Sequence, residues 1–172
     1  MKILDNCQGQ SFTKAYIDIH SLENRSHNRP IINALEDENT PLKKFINEVI
    51  NTKEFENNNG DCFIKFSEKM ISLDGAAAPV DIVEFSFPKK IEQAKKELLK
   101  QAEQEPDELM EKVMRCFVPT FAEKAGTFTK MFDDGSNIYD FDYDSDIPTH
   151  KELADYIKSD KIVEDLEEFI QE

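Results

Sequence analysis

The last 40 residues of the chain combine a large excess of negative charge with regular apolar spacing, and few kinds of structure satisfy both. Residues 133–172 contain 14 acidic residues against three lysines, a balance of −11 out of −15 for the whole 172-residue chain. Dense charge without apolar periodicity keeps a segment unfolded. The uneven distribution therefore predicts either an acidic tail or amphipathic elements docked on a core.

Apolar periodicity within this segment favours the docked alternative. Leu153, Tyr156 and Ile157 recur at helical spacing. A second stripe consists of Ile162, Val163, Leu166, Phe169 and Ile170. Residues 149–152 have the Thr-x-x-Glu spacing of a capping box, and Ser159 is a candidate cap for a second helix. We therefore expect two short amphipathic helices whose acidic side chains point to solvent.

The stretch 137–146 alternates acidic and aromatic side chains. In an extended conformation its acids share one face and its aromatic residues the other. The first set is Asp140, Asp142, Asp144 and Asp146, and the second is Tyr139, Phe141 and Tyr143. Neighbouring carboxylates would lie about 6.8 Å apart and repel by roughly 0.6 kcal/mol in water. The stretch is interpreted either as an edge strand or loop whose charged face blocks edge-to-edge pairing or as an acidic surface that binds a protein partner.

Metal-binding motifs are poorly matched by this sequence. An EF-hand loop starting at Asp140 would have Ser145 at the glycine position and Lys151 at the bidentate glutamate position. A divalent-cation site of another kind stays an alternative for the aspartates. A second candidate set needs a helix that the intervening residues disfavour; it comprises His20, Glu23 and His27. We therefore predict no metal site and no cofactor.

The sequence also lacks the local signatures of common active sites. It contains only five glycines, and neither GxGxxG, GxxxxGK[ST] nor a glycine-rich elbow around a serine occurs. Cys7, Cys62 and Cys116 are widely separated and form no CxxC pair, so reduced thiols are expected rather than a disulfide scaffold or zinc knuckle. An enzyme that uses dispersed acids or a thiol remains the third functional hypothesis.

Patterning in the rest of the chain predicts an α+β fold. We expect one domain over residues 1–172, with 133–172 as its strongly acidic part. Its small antiparallel sheet would be formed by the N-terminal half plus a strand near 137–144, packed with about five helices. Strands are predicted at 11–22 and in two or three segments between 62 and 87, with loops at Asp74-Gly75 and Ala78-Pro79.

Three longer helices are predicted from capping and proline signals. The first starts at Pro41 after Thr40 and runs to about Phe55. The second starts near Lys89, and the third runs between two prolines at 106 and 119, with a short helical turn at 120–124. The apolar side of the third helix consists of Leu109, Met110, Val113, Met114 and Phe117.

Charge leads to the functional hypothesis. A surface this acidic repels nucleic acid and anionic membranes, so neither is an expected direct ligand. With no run of about 18 apolar residues and no signal-peptide pattern, a cytoplasmic protein is expected. The hypothesis is a non-enzymatic protein that binds and blocks a basic partner that handles nucleic acid. By analogy of size and charge it would act as an immunity, anti-restriction or anti-CRISPR protein does, with nucleic-acid mimicry as one route.

The candidate residues for binding this partner lie in the acidic part of the chain. They are Asp133, Asp134, Tyr139, Asp140, Phe141, Asp142, Tyr143, Asp144, Asp146, Asp155, Glu164, Asp165, Glu167 and Glu168. The aromatic members would supply contact energy, and the acids would supply charge complementarity. The alternative function is an adaptor or assembly protein that binds a non-basic partner. The sequence leaves the oligomeric state open.

Overall fold

The computed structural model describes residues 15–19, 29–73, 76–104, 108–134 and 150–172, and within them it has an α+β fold. This confirms the predicted class. The strands are β1 (Ala15–Asp18), β2 (Cys62–Leu73), β3 (Ala76–Ser86) and β4 (Thr127–Asp133). The α-helices are α1 (Arg29–Glu36), α2 (Pro41–Phe45), α3 (Lys53–Asn59), α4 (Pro88–Gln104), α5 (Glu108–Ala125), α6 (Lys151–Lys158) and α7 (Lys161–Gln171), and a π-helical turn, Ile46–Ile50, extends α2.

The four strands form one mixed sheet in the order β1-β2-β3-β4. Strand β1 is parallel to β2, whereas the β2–β3 and β3–β4 pairs are antiparallel. The sheet is therefore not wholly antiparallel as predicted. The reason is the helical connection α1–α3, because a crossover of this length returns the chain to the same end of the sheet before β2 begins.

Strand β3 contains Pro79, where a loop was predicted. That prediction is wrong: Pro79 pairs with Met70 of β2 inside the ladder. Pairing between β3 and β4 starts only at Val80, opposite Asp133. Among the described residues the chain therefore has no neighbour on the β4 side at Pro79, and its missing N–H interrupts no ladder there.

Strand β4 was not predicted, and the strand predicted near 137–144 lies outside the described residues. In β4, Phe128 and Phe132 are half-buried and pack against the core, while Met131 is exposed. This alternation is typical of a strand with one covered face.

The core lies between one face of the sheet and helices α1, α2, α6 and α7. Its fully buried large side chains are Phe66, Phe85, Phe87, Ile31, Leu42, Ile50, Ile64, Leu153, Ile157, Ile162 and Leu166. Four of them come from α6 and α7, so the prediction that the acidic C-terminal segment docks as amphipathic helices is confirmed. Each such burial contributes roughly 1.5–3 kcal/mol of transfer free energy.

The helix caps agree only partly with the sequence. Thr40 caps α2 as predicted, because its Oγ1 accepts a hydrogen bond from Lys43 N at 3.3 Å. The capping box at 149–152 is wrong: His150 is the N-cap residue of α6, in the left-handed conformation at φ 61°, and its side chain makes no capping bond. Ser159 ends α6 rather than starting α7, and its hydroxyl donates to Tyr156 O at 2.9 Å.

Helices α4 and α5 pack against each other as a hairpin. Helix α5 continues through Pro119, where it was predicted to stop. Among the described side chains of the hairpin, only Ala102, Val118 and Ala122 are buried. The hairpin thus presents much of its surface to solvent, including most of the apolar side predicted for α5.

Candidate functional site

The outward side of α7 carries three of the predicted partner-binding acids. Glu164, Glu167 and Glu168 are all exposed and share one helix face at spacings of three and four residues. Ile162 and Leu166 are fully buried on the opposite side and fix the rotation of the helix. We call these three glutamates the α7 acidic face.

Lys161 compensates one end of this face. Its Nζ lies 3.3 Å from Glu164 Oε2, and hydrogen bonds to Asp165 and Glu164 raise the pKa of Lys161. Glu167 and Glu168 form no ion pair with the described residues. The uncompensated charge of the α7 acidic face therefore lies in its last turn.

Asp165 has a different environment from its neighbours on α7. Its side chain is 12% exposed, and its Oδ2 accepts from Lys130 Nζ at 2.5 Å and from Tyr156 Oη at 2.9 Å. Lys161 Nζ lies 2.9 Å from its Oδ1. Burial alone would raise the pKa of Asp165, but the hydrogen bonds from Lys130, Lys161 and Tyr156 lower it to about 2. Asp165 therefore joins β4, α6 and α7 instead of offering a free charge.

The remaining predicted acids are dispersed. Asp133 is exposed at the end of β4, and Asp155 is exposed on α6 between Lys151 and Lys158, which lie four residues before it and three after it. Asp134 is 2% exposed and so presents no open carboxylate to a partner. The other candidates lie outside the described residues: Tyr139, Asp140, Phe141, Asp142, Tyr143, Asp144 and Asp146.

A second surface feature lies on α5. Five large hydrophobic side chains are between 43% and 72% exposed, and four of them recur every fourth residue. This α5 apolar row consists of Leu109, Met110, Val113, Phe117 and Phe121. Residues 88–125 contain eight acidic and eight basic residues, so the hairpin is neutral within a chain of charge −15. An apolar row on a neutral element is typical of a protein-binding surface.

The third feature is a cluster of ionisable side chains around His150, at the opening of α6. Its other members are Glu68 on β2, Asp81 on β3 and Asp134 after β4. Asp81 and His150 are fully buried, and Asp134 nearly so, whereas the Glu68 side chain is 22% exposed. We call these four residues the His150 cluster.

Hydrogen bonds hold His150 in place. Its Nδ1 lies 2.6 Å from Asp81 Oδ1, and its backbone N donates to Asp134 O at 2.5 Å. An ionised Asp81 carboxylate can only accept, so in that state the proton of this contact lies on Nδ1. His150 Nε2 lies 3.9 Å from Glu68 Oε2.

The carboxylates of the cluster repel one another. Glu68 and Asp81 are direct cross-strand partners, an arrangement that disfavours two like charges. Burial raises the pKa of Asp81, the hydrogen bond from His150 lowers it, and the charges of Asp134 and Glu68 raise it again, with a net rise. Glu68, Asp134 and His150 each offer one ligand atom, and these atoms lie within 4.8 Å of one another. Within the part of the chain that the structure describes, these three residues form a group that could hold a metal ion.

Only weak signals in the sequence indicate the α5 apolar row and the His150 cluster. Asp81 lies between Val80 and Ile82 in an apolar strand, which is the one local sign that its carboxylate is buried. Nothing in the sequence relates it to His150, 69 residues away. The α5 row has the spacing of a core face, so spacing alone could not distinguish a covered row from an open one.

Comparisons with protein-family models, curated proteins and solved structures found no match to this chain. Among the described residues, no helix is long and apolar enough to span a membrane.

Proposed function

We propose that this protein is a non-enzymatic, acidic, cytoplasmic protein that binds and blocks a basic partner that handles nucleic acid. The observation that carries the proposal is the α7 acidic face. Its glutamates project from a helix whose other side is anchored by Ile162 and Leu166. Side chains on an anchored helix start from a restricted set of positions, so ordering them against a partner costs less entropy than ordering a flexible tail.

The expected mechanism is electrostatic steering followed by steric occlusion. Positions three and four apart on a helix lie about 5–6 Å apart at their Cβ atoms, so the face offers closely spaced carboxylates to lysine and arginine side chains. Complementary charge speeds association and makes it dependent on salt. A partner that normally binds phosphates would be blocked when this face covers its basic surface.

The proposal is tested by removing charge without changing shape. The protein is used to capture partners from its native host at low and high salt, and affinity for each purified partner is then measured across a salt series. The test variant is Glu164→Gln/Glu167→Gln/Glu168→Gln. The matched control, Glu92→Gln/Glu97→Gln/Glu103→Gln, removes three exposed charges from α4.

The expected partner is basic, is released by competing nucleic acid, and binds the α7 variant more weakly and with a flatter salt dependence. The α4 control should retain the salt dependence of the unmodified protein. Equal slopes for the two triple variants, or a partner indifferent to nucleic acid, would overturn the proposal.

The α5 apolar row favours a second candidate function, an adaptor that binds a neutral partner. Five large apolar side chains, each between 43% and 72% exposed, form this row, and the largest apolar patch on a monomeric protein, typically about 300–600 Å², is often functional. The neutral hairpin fits an apolar helix of another protein, since no charge has to be compensated. We propose such a helix as the occupant of the row.

This alternative predicts salt-insensitive binding that depends on aromatic side chains. Phe117→Ser/Phe121→Ser should abolish capture of the partner, whereas Met70→Ser/Met131→Ser, at two equally exposed sites on the sheet, should not. Unchanged capture by the double phenylalanine variant would reject the adaptor function. The average molecular mass of the purified protein in solution could increase with concentration, and do so only when Phe117 and Phe121 are present. That result would mean that a second copy of this chain, and not a partner helix, occupies the row.

A further inference from the structure

The His150 cluster is unusual because it concentrates three carboxylates around one imidazole beneath the surface. Buried carboxylates are normally paired with cations or well hydrogen-bonded. Among the described residues, the hydrogen bond from His150 is the main interaction that favours the ionised form of Asp81. Asp81 Oδ2 is fully buried and has no hydrogen-bond partner among those residues. The three carboxylates lie close enough to repel one another, and a cation bound among them would reduce that repulsion.

We propose that Glu68, Asp134 and His150 form a binding site for one divalent transition-metal ion, with Asp81 as the residue that positions the imidazole. Nitrogen from histidine with oxygen from two carboxylates is a donor set that suits Zn²⁺ and Mn²⁺. Three protein ligands leave at least one coordination position for water. Calcium and magnesium, which prefer all-oxygen sites, should bind less tightly.

The geometry of His150 agrees with this role. Metal-binding histidines usually donate their second ring N–H to a carboxylate, which fixes the ring and its tautomer. The contact between His150 Nδ1 and Asp81 Oδ1, at 2.6 Å, has this form. With Nδ1 held in this way, Nε2 lies 3.9 Å from Glu68 Oε2.

The ligand atoms need only a small contraction to coordinate. Two ligands at about 2.1 Å from a tetrahedral ion lie about 3.4 Å apart. The separation between His150 Nε2 and Glu68 Oε2 is 3.9 Å, and no pair of candidate ligand atoms exceeds 4.8 Å. Glu68 is the most exposed member of the set, so rotation of its side chain can close part of this gap without repacking the core.

A bound ion would connect three separate elements. Glu68 lies in β2, Asp134 follows β4, and His150 precedes α6. Because the ion would bind the folded arrangement and not the unfolded chain, it should stabilise the protein in proportion to its concentration. At about 100 times the dissociation constant, the melting temperature should rise by roughly 5–10 °C.

The test uses chelator-treated full-length protein and the metal alone. Zn²⁺ is titrated by calorimetry, and Co²⁺ is titrated in parallel because its visible absorption reports the coordination geometry. The test variant is Glu68→Gln, chosen because this partly exposed side chain is the ligand whose replacement disturbs packing least. The control is Asp133→Asn, which removes the exposed charge next to Asp134.

One equivalent of Zn²⁺ should bind to the unmodified protein, with at least a tenfold loss of affinity in Glu68→Gln and no change in Asp133→Asn. The rise in melting temperature on adding Zn²⁺ should be smaller for Glu68→Gln than for the unmodified protein, and it should be unchanged for Asp133→Asn. Absence of one-equivalent binding, equal affinities for Glu68→Gln and the unmodified protein, or calcium binding as tight as zinc binding would overturn the proposal. Since none of these measurements involves a protein partner, the result is independent of the proposed function.

Discussion

Asp165 offers the sharpest test of how the C-terminal helices are held, because its role differs from that of the exposed acids beside it. Its carboxylate meets Lys130 on β4, Lys161 on α7 and Tyr156 on α6. Substituting Asp165→Asn keeps the shape of the side chain and removes its charge. We expect this change to cost stability, whereas Glu167→Gln, at an exposed position two residues further along α7, should not.

The magnitude follows from the pKa. Folding lowers the pKa of Asp165 from 3.8 to about 2, and a difference of this size corresponds to about 2 kcal/mol of stability at neutral pH. Because the folded pKa lies below the unfolded one, the contribution is fully present above about pH 5. It is lost as the pH falls toward 2, and roughly half of it remains at pH 3.

The assay is urea unfolding of the unmodified protein, Asp165→Asn and Glu167→Gln at pH 7 and pH 3. At pH 7, Asp165→Asn should be less stable by about 2 kcal/mol, and at pH 3 the deficit should fall to about 1 kcal/mol. Glu167→Gln should stay within about 0.5 kcal/mol of the unmodified protein at both values. A deficit no greater than that of Glu167→Gln at pH 7, or one that is undiminished at pH 3, would show that the ionised Asp165 carboxylate does not stabilise the fold.

Three further predictions concern packing, thiol reactivity and capping. Gly126→Ala should destabilise the protein by about 1–3 kcal/mol, because an added Cβ would lie 2.2 Å from Ile91 Cγ1; a neutral effect in thermal unfolding would contradict the close contact. Alkylation followed by mass spectrometry should modify exposed Cys116 quickly and Cys62 only after unfolding, since burial raises the pKa of the Cys62 thiol to about 12; equal rates would argue against that burial. Thr40→Ala should cost about 1 kcal/mol in chemical unfolding through loss of the α2 cap, and no loss would mean that the cap is dispensable.

Local sequence signals predicted an element correctly where the pattern was compatible with only one structure. The stripes at 153–157 and 162–170 predicted α6 and α7 because an acidic segment with helical apolar spacing can bury only one face. Thr40 followed by proline predicted the start of α2 correctly. The α+β class followed from the same kind of evidence.

The errors arose where tertiary structure selects between local alternatives. Proline at 79 normally breaks a strand, and it is accepted because β4 does not reach that position. Thr149 and Glu152 match a capping box, yet the cap falls on His150, whose left-handed backbone accompanies its bonds to Asp81 and Asp134. Long-range contacts of this kind leave no periodic signature in the chain.

The candidate sites show the same division. The glutamates of the α7 acidic face could be found from the sequence because charge and helical spacing are local properties. The different role of Asp165, whose carboxylate is bound by other side chains, could not be predicted. It depends on Lys130, which lies in a strand that the sequence did not reveal. The His150 cluster assembles from positions 68, 81, 134 and 150, which only the sheet register brings together.

The bond from His150 N to Asp134 O has a consequence for engineering this chain. It holds the end of β4 next to the start of α6, so the two ends of the 15-residue segment between Asp134 and His150 lie close together. Replacing residues 135–149 by a short glycine and serine bridge would therefore join two points that already lie within hydrogen-bond distance. Comparing partner binding with and without the bridge would measure what the aspartate stretch contributes.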